Sequence, residues 1–398
     1  MAIVGALVAL AGCAAQPGSQ PSGSTVSGGQ NAAPVVSKPI DFHTLSETKC
    51  PNSAASYQEW VAKFQSYALS KGRPDKVIQT AFAGVKENPE ISDRTTKQPE
   101  FELPVWTYLD RTVSDDRVAR GQVKYQENKA LLAGIEHDYG VPPEIIMGIW
   151  GIETDFGNNF GNYNVFEALT NLGYGAKRGS FACEQLLAAL DMVAKKNVAP
   201  SRMIGSWAGA MGHPQFLPSN YLTLAVDRDG SGTADLWDSL PDALASAANH
   251  LVDDHWRRGL PWGLEVKLPT NFPYGEAELD LFNPVSHWKK LGVTRTDSSA
   301  LPDLPGDTFI LVPAGHRGPA FLVTENFDVI RKYNNSIKYV LSAGYLGDRI
   351  LGGRRFVGNW PTDEPLLSLA EREEVQTLLK ARGYDAGKVD GVLGLKSR

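Results

Sequence analysis

Residues 141–157 read Val-Pro-Pro-Glu-Ile-Ile-Met-Gly-Ile-Trp-Gly-Ile-Glu-Thr-Asp-Phe-Gly. The two prolines suit the start of a helix and Gly157 suits its end, so the sequence predicts a helix over Pro143–Phe156. At 100° per residue, Glu153 lies within the apolar stripe of this helix. The stripe consists of Ile146, Ile149, Trp150 and Phe156. A carboxylate there loses solvation, which raises its pKa and suits a general acid. A buried Glu held by an arginine or by main-chain donors is the alternative that the pattern leaves open.

Most of the chain from about residue 41 shows apolar residues at intervals of three and four, which predicts helices. Besides Pro143–Phe156, these are Tyr57–Ser70, Asp75–Phe82, Asp115–Tyr139, Cys183–Lys195, Asp242–Trp256 and Asn326–Leu346. Between about 260 and 325, alternating apolar residues and turn residues predict short strands at 263–268, 308–312 and 320–324. The predicted fold class is therefore α+β and mainly α, with a small β-sheet inserted into a helical body.

Composition narrows the class of protein. The chain has 398 residues, of which 42% are hydrophobic and 21% are charged. These values are typical of a globular protein of two or three domains and argue against a disordered, collagen-like or polytopic membrane protein. The formal net charge is -6, so a nucleic-acid partner is not expected.

The N-terminal segment has the features of an export signal. Residues 2–12 are an apolar run that is too short to cross a bilayer and has the length of a signal-peptide core. The run ends in Leu10-Ala-Gly-Cys13, which resembles the lipobox of bacterial lipoproteins. We therefore expect a signal peptide over 1–12, lipidation of Cys13, and a flexible tether over 13–40 that is rich in Ser, Gly, Pro and Gln. Ala14 after the cysteine favours the periplasmic face of the outer membrane. A plain cleaved signal is the alternative.

Two further cysteines, Cys50 and Cys183, follow Cys13. Export into an oxidising compartment would permit them to form a disulfide. The alternative is that both are small buried hydrophobic side chains.

Residues 227–238, Asp-Arg-Asp-Gly-Ser-Gly-Thr-Ala-Asp-Leu-Trp-Asp, have the spacing of a calcium loop. Oxygen-bearing side chains stand at positions 1, 3, 5, 9 and 12, glycine stands at position 6, and a main-chain carbonyl is available at position 7, as in an EF-hand. The expected ligands are Asp227, Asp229, Ser231, Thr233 and Asp238. Aspartate at position 12 is shorter than the usual glutamate, so we expect a structural site of modest affinity. A surface turn without metal is the alternative.

Three motifs in order carry a family resemblance. They are Gly148-Ile-Trp-Gly-Ile-Glu-Thr-Asp-Phe-Gly-Asn with Phe166-Glu-Ala-Leu-Thr-Asn-Leu-Gly-Tyr, then Ser206-Trp-Ala-Gly-Ala-Met-Gly-His-Pro-Gln-Phe-Leu-Pro-Ser-Asn-Tyr, then Arg331-Lys-Tyr-Asn-Asn-Ser-Ile-Lys-Tyr. They resemble the signatures of the membrane-bound lytic murein transglycosylase B family. Similar residues at 98–101 and 105–111 extend the resemblance to about 45–358. It implies a catalytic domain over 41–358 with a lysozyme-like helical core, an additional helical region and the β-rich insertion.

The resemblance also implies roles for single residues. Glu153 stands at the position of the family's catalytic acid, Ser206 would bond near it, and Gln215 would line the substrate groove. Tyr333, Asn334 and Tyr339 would close the other side of the groove. From spacing alone, the tyrosines could equally be packing residues. His213-Pro214 precedes Gln215 where some relatives have Tyr-Gly.

The implied reaction cleaves peptidoglycan glycan strands between N-acetylmuramic acid and N-acetylglucosamine. In the family one Glu protonates the glycosidic oxygen and then takes the proton of the muramic 6-hydroxyl, which gives a 1,6-anhydro sugar. No cofactor is expected for the chemistry, and no second carboxylate is equally well placed, because Asp155 points elsewhere on the predicted helix. We expect a periplasmic monomer.

The last segment, 366–398, resembles the opening of a three-helix peptidoglycan-binding module. It is expected to be an incomplete module, and a terminal helix docked on the enzyme is the alternative.

Two other functions stay open. A hydrolytic muramidase would use the same groove with a held water and usually a second carboxylate. A non-catalytic, calcium-stabilised lipoprotein would bind the cell wall without cleaving it.

Overall fold

The computed structural model describes residues 40–96, 103–175, 178–277, 281–364, 367–391 and 393. The predicted signal peptide, Cys13 and the predicted tether up to residue 39 lie outside the described residues.

Helices dominate the described part of the chain. They are α1 (Tyr57–Ser70), α2 (Asp75–Phe82), α3 (Pro89–Thr96), α4 (Val105–Thr112), α5 (Asp115–Tyr139), α6 (Pro143–Thr154), α7 (Val165–Tyr174), α8 (Gly179–Lys196), α9 (Pro218–Leu224), α10 (Leu240–Asp253), α11 (Val285–Lys290), α12 (Glu325–Tyr333), α13 (Ile337–Ile350) and α14 (Leu369–Ala381). The strands are β1 (Tyr163–Asn164), β2 (Ile204–Gly205), β3 (Gly263–Lys267), β4 (Asn283–Pro284), β5 (Thr294–Arg295), β6 (Asp307–Leu311) and β7 (Ala320–Thr324). This architecture confirms the predicted fold class. None of the helices in these ranges is long and apolar enough to span a membrane.

Two predicted helix boundaries are wrong for a local reason. The helix predicted over Pro143–Phe156 ends at Thr154, because Asp155 and Phe156 take positive φ angles of 51° and 60°. The helix predicted over Asn326–Leu346 is two helices, because Asn334 is extended and Ser336 caps the second one. The apolar spacing continues across the break, so periodicity alone did not reveal it.

The inserted sheet joins the helical body through one face. Its order is β4-β6-β7-β3-β5, and every neighbouring pair is antiparallel. Alternate side chains point to opposite faces of a strand. Phe309, Leu311, Phe321 and Val323 belong to the large helical core, whereas Ile310, Leu322 and Val266 form a smaller core with Trp288 of α11. The sheet is therefore buried on both faces and is held rigidly against the helices.

Helices α6 and α13 cross at very short range. A Cβ at Gly148 would lie 1.9 Å from the main-chain oxygen of Ala343, and a Cβ at Gly347 would lie 1.8 Å from that of Glu144. Only glycine permits this approach of two backbones. The crossing brings the sequence-distant third motif against the helix that carries Glu153.

A disulfide joins Cys50, which precedes α1, to Cys183 in α8. The structure thus contains the pairing that export was expected to permit. It ties the segment before the first helix to the helical body.

The C-terminal segment folds on itself around one buried amide. Ser368 and Glu371 form a capping box at the start of α14. The buried Gln376 accepts hydrogen bonds through Oε1 from the main-chain N–H groups of Asp390 and Gly391, at 3.0 and 2.8 Å. The segment after α14 therefore returns along the helix.

We expect Gly148→Ala to destabilise the protein by about 1–3 kcal/mol or more, because the added methyl group must push α13 away. Gly134→Ala in α5 is the matched control, since its Cβ would meet only the end of the Arg228 side chain, at 3.1 Å. Guanidinium unfolding and melting temperature measure both. Equal stability of Gly148→Ala and the wild type would disprove the close crossing.

Candidate active site

Glu153 lies near the end of α6 and is only 6% exposed. Its Oε1 accepts a hydrogen bond of 2.5 Å from the Tyr339 hydroxyl. Within the described part of the chain, its Oε2 is buried and has no hydrogen-bond partner. Burial raises the pKa of Glu153 to about 8, although the hydrogen bond from Tyr339 acts in the opposite direction. The carboxyl group is therefore mostly protonated at neutral pH, as a general acid requires.

Two tyrosines of the third motif form the wall beside Glu153. The rings of Tyr333 and Tyr339 are nearly parallel, with centroids 6.4 Å apart. Burial, together with the charge of Glu153, raises the pKa of each phenol well above its ordinary value. Both tyrosines therefore stay protonated and act as hydrogen-bond donors. Tyr339 donates to Glu153, and Tyr333 donates to the main-chain oxygen of Pro214 at 2.6 Å.

A partly buried histidine, His250, supports this wall from α10. The ring of His250 packs on Tyr333 with centroids 4.6 Å apart, and the edge of Phe216 contacts the same histidine. Burial lowers the pKa of His250 to about 4, so it is neutral at pH 7. His250 thus contributes packing and no charge to the site.

Asp155 does not serve as a second carboxylate beside Glu153. Its Oδ1 accepts hydrogen bonds from Arg117 at 3.1 Å and from Arg120 at 2.7 Å, both on α5. Partial burial raises the pKa of Asp155, but the two arginines outweigh it and bring the pKa below its ordinary value. The sequence expectation that Asp155 points away from the apolar stripe agrees with these contacts.

The second motif forms a tight turn next to α6. Gln215 is buried, has a φ of 50°, and donates through Nε2 to the main-chain oxygens of Gly212 at 2.9 Å and Phe160 at 3.3 Å. Ser206 is also buried, but its Oγ accepts from the main-chain N–H of Ala210 at 3.1 Å. Among the described residues, Ser206 has no hydrogen bond to Glu153, so its predicted contact with the acid stays a prediction.

Asn334 lies at the end of α12, directly after Tyr333, and is 8% exposed. Its main-chain oxygen accepts from the N–H of Ser336 at 2.7 Å. This local turn separates α12 from α13 and allows Tyr333 and Tyr339 to reach the same site.

The acidic loop gathers three carboxylates, and one of them differs from the expected set. Oxygen atoms of Asp227, Asp229 and Asp242 lie within 4.8 Å of one another. Asp238 is not part of this group and instead forms an ion pair with Arg202 at 2.5 Å. The twelve-residue spacing predicts the last ligand at Asp238, whereas α10 begins at Leu240, two residues before its predicted start, and its first turn places Asp242 against the loop. Ser231 donates through Oγ to the main-chain oxygen of Thr233 at 3.2 Å.

Asp242 is fully buried and holds the loop closed. Its Oδ1 accepts from the main-chain N–H groups of Arg228 and Asp229, and its Oδ2 accepts from that of Asp235, at 2.8, 3.0 and 2.9 Å. The sequence did contain a signal for it, because Ser239 followed three residues later by Asp242 is a typical helix N-terminus. By contrast, no sequence signal indicated that His213 and His250 contact the site.

A family model described as "Transglycosylase SLT domain" matches residues 56–348. The chain is 29% identical over 271 residues to membrane-bound lytic murein transglycosylase B of Escherichia coli strain K12, which covers 64% of this chain and 70% of that protein.

Solved structures give the same relationship. A structure of SltB3 from Pseudomonas aeruginosa in complex with NAG-anhNAM-pentapeptide has a TM-score of 0.82 and 43% identity, covering 86% of this chain and 92% of that one. The Escherichia coli lytic transglycosylase Slt35 in complex with calcium has a TM-score of 0.62 and 27% identity, covering 73% of this chain and 92% of that one.

Proposed function

The chain belongs to the transglycosylase SLT domain family and is a peptidoglycan lytic transglycosylase, and we propose that Glu153 alone is its general acid and then its general base. The observation that carries this proposal is the buried carboxyl of Glu153, with Oε1 fixed by Tyr339 and Oε2 without a protein partner among the described residues. Burial raises its pKa to about 8, which favours the protonated acid at neutral pH. The SltB3 complex with a 1,6-anhydro sugar supports the type of product.

The proposed reaction moves one proton in a closed cycle. Oε1 accepts the hydrogen bond from Tyr339, so the acid proton resides on Oε2. Glu153 gives this proton to the glycosidic oxygen between N-acetylmuramic acid and N-acetylglucosamine, and the bond from muramic C1 to that oxygen breaks. The carboxylate then removes the proton of the muramic 6-hydroxyl while the 6-oxygen bonds to C1. Tyr339 stabilises the transient carboxylate, because it remains a hydrogen-bond donor throughout.

Gln215, Tyr333 and Asn334 are proposed to line the groove around the reacting sugar. Tyr333 and Gln215 belong to one connected wall, because the Tyr333 hydroxyl bonds to Pro214, the residue before Gln215. Ser206 is proposed to act near the acid through the same turn. A hydrolytic muramidase usually needs a second carboxylate beside the acid. The ion pairs of Asp155 with Arg117 and Arg120 hold this carboxylate away from Glu153 and therefore disfavour that reaction.

We propose calcium as a structural ion in the acidic loop, with no part in the chemistry. Carboxylate, hydroxyl and carbonyl oxygens are the ligands that calcium prefers, and Asp227, Asp229, Ser231 and Thr233 offer all three kinds. Asp242 is proposed as the further carboxylate ligand in place of Asp238. The calcium complex of the relative Slt35 supports this proposal.

We also propose that Cys13 is lipidated and anchors the enzyme at the periplasmic face of the outer membrane, with 13–40 as its tether. The membrane-bound relative from Escherichia coli supports an anchored form. The segment 366–398 is proposed to be the opening part of a peptidoglycan-binding module.

Glu153→Gln is expected to lower anhydro-muropeptide formation at least about a thousandfold, because the amide can neither give nor take the proton. Mass spectrometry of the soluble products from purified peptidoglycan measures this. Glu144→Gln, at the other end of the same helix, is the matched control and is expected to retain activity.

The wild-type kcat should fall above about pH 8, where Glu153 loses the proton that it must donate. Anhydro products from Glu153→Gln, or reducing muramic ends from the wild type, would contradict the mechanism.

Asp242→Asn is expected to weaken calcium binding at least tenfold, and Asp238→Asn is expected to leave it within about twofold. Each substitution removes one negative charge at or beside the acidic loop, so the two are matched in charge. Isothermal titration with calcium chloride measures the affinity. Loss of binding in Asp238→Asn alone would restore the twelve-residue ligand set, and no heat from the wild type would remove the calcium site.

Cys13→Ser is expected to move the protein from the membrane fraction to the soluble periplasmic fraction. Mass spectrometry of the N-terminal peptide of the wild type should show the added lipid. A soluble, unlipidated wild type would mean that the signal is simply cleaved.

A further inference from the structure

His213 forms hydrogen bonds with residues on both sides of Glu153 in the last turn of α6. Trp150, three residues before Glu153, donates through Nε1 to Nδ1 of His213 at 2.9 Å. Thr154, the next residue after Glu153, donates through Oγ1 to the main-chain oxygen of His213 at 3.3 Å. One residue outside the helix therefore holds the turn that carries the acid.

The last turn of α6 needs such a support. The helix stops at Thr154, one residue after Glu153, because Asp155 and Phe156 take positive φ angles. The end of a helix has main-chain groups without helical partners and frays more easily than its centre. Apart from the hydrogen bond that Tyr339 donates to its Oε1, the Glu153 side chain takes its direction from a turn that has no helix following it.

His213 is itself fixed from several directions. Its main-chain N–H donates to the oxygen of Leu236 at 2.9 Å, at the exit of the acidic loop. The next residue, Pro214, accepts the hydrogen bond from Tyr333. The imidazole also lies edge-on to Phe160, with ring centroids 4.7 Å apart. It packs so closely on Gly157 that a Cβ there would lie 2.5 Å from the ring.

We propose that His213 is a positioning residue, which aims the Glu153 carboxyl at the glycosidic oxygen by holding Trp150 and Thr154. The inference rests on the proposed role of Glu153 as the acid. Nδ1 can accept the Trp150 hydrogen bond only in the neutral ring with its proton on Nε2. Burial is the largest influence on this ring and lowers the pKa of His213 to about 4, which is consistent with a neutral acceptor. His213 makes no contact with the reacting atoms in this scheme.

Three variants separate positioning from stability. His213→Phe keeps a ring but removes the acceptor, and His213→Asn places an acceptor oxygen near the position of Nδ1. Trp150→Phe removes the donor from the other side. Kinetics on soluble glycan fragments of peptidoglycan, scaled to the folded fraction from circular dichroism, give kcat and KM for each. Melting curves record the loss of stability separately.

We expect His213→Phe to lower kcat about tenfold or more while KM changes less than about twofold, since a displacement of the acid affects the reaction more than binding. His213→Asn should recover most of kcat. Trp150→Phe should lower kcat by a similar factor, and the double variant His213→Phe with Trp150→Phe should be no slower than either single variant, because both remove one interaction.

Other results would overturn the inference. A lower melting temperature with unchanged kcat would show that His213 only stabilises the fold, and additive losses in the double variant would show that the Trp150 hydrogen bond does not carry the effect. Glu153→Gln in the same assay separates the two proposals. If Glu153→Gln is inactive and His213→Phe is fully active, only the inference about His213 fails. If Glu153→Gln forms anhydro products, the proposed role of Glu153 fails.

Discussion

The close crossing of α6 and α13 determines where the catalytic groups meet. Two glycine contacts, Gly148 with Ala343 and Gly347 with Glu144, join antiparallel helices at backbone distance. Nearer the end of α6, Glu153 accepts the hydrogen bond from Tyr339 near the start of α13. This hydrogen bond is therefore a third contact between the same two helices. A side chain at either glycine would separate the helices and move the phenol away from the carboxyl. The inserted sheet packs on the same helical core and adds to its rigidity.

Burial and charge give opposite properties to two carboxyl groups that are two residues apart. Glu153 points into the apolar stripe, where burial raises its pKa, and Asp155 leaves the helix and binds two arginines that lower its own. Residues two positions apart on a helix already point to different sides, and the left-handed conformation of Asp155 ends α6 where its side chain binds Arg117 and Arg120 of α5. The site therefore keeps the single carboxyl of Glu153.

Spacing alone predicted that Glu153 is a desolvated carboxyl, because a polar residue within an apolar stripe is visible in the sequence, and the family resemblance supplied its expected role as the acid. The helix starts at Tyr57 and Asp115 were also predictable, because Ser56 and Ser114 cap them locally. Contacts between distant segments were less accessible. Tyr339 bonds to Glu153 across 186 residues and was indicated only by family resemblance. Counting twelve positions predicts Asp238 as a calcium ligand, whereas in the structure the first turn of α10 places Asp242 beside Asp227 and Asp229. The residue at which a helix begins decides which side chain of its first turn faces a neighbouring loop, and the spacing within the loop does not contain this information.

The unpartnered Oε2 of Glu153 is sealed from solvent, which would be a handicap for most acid catalysts. A retaining hydrolase recovers the proton of its acid from the attacking water molecule, which must therefore enter the site in every turnover. In the proposed reaction Glu153 takes its proton back from the muramic 6-hydroxyl, so the substrate itself regenerates the acid. Such an enzyme can exclude water from its acidic carboxyl. Turnover would then cause no net exchange of hydrogen between this carboxyl and the solvent. Excluding water then has a chemical benefit as well, because the intermediate has no competing nucleophile within reach.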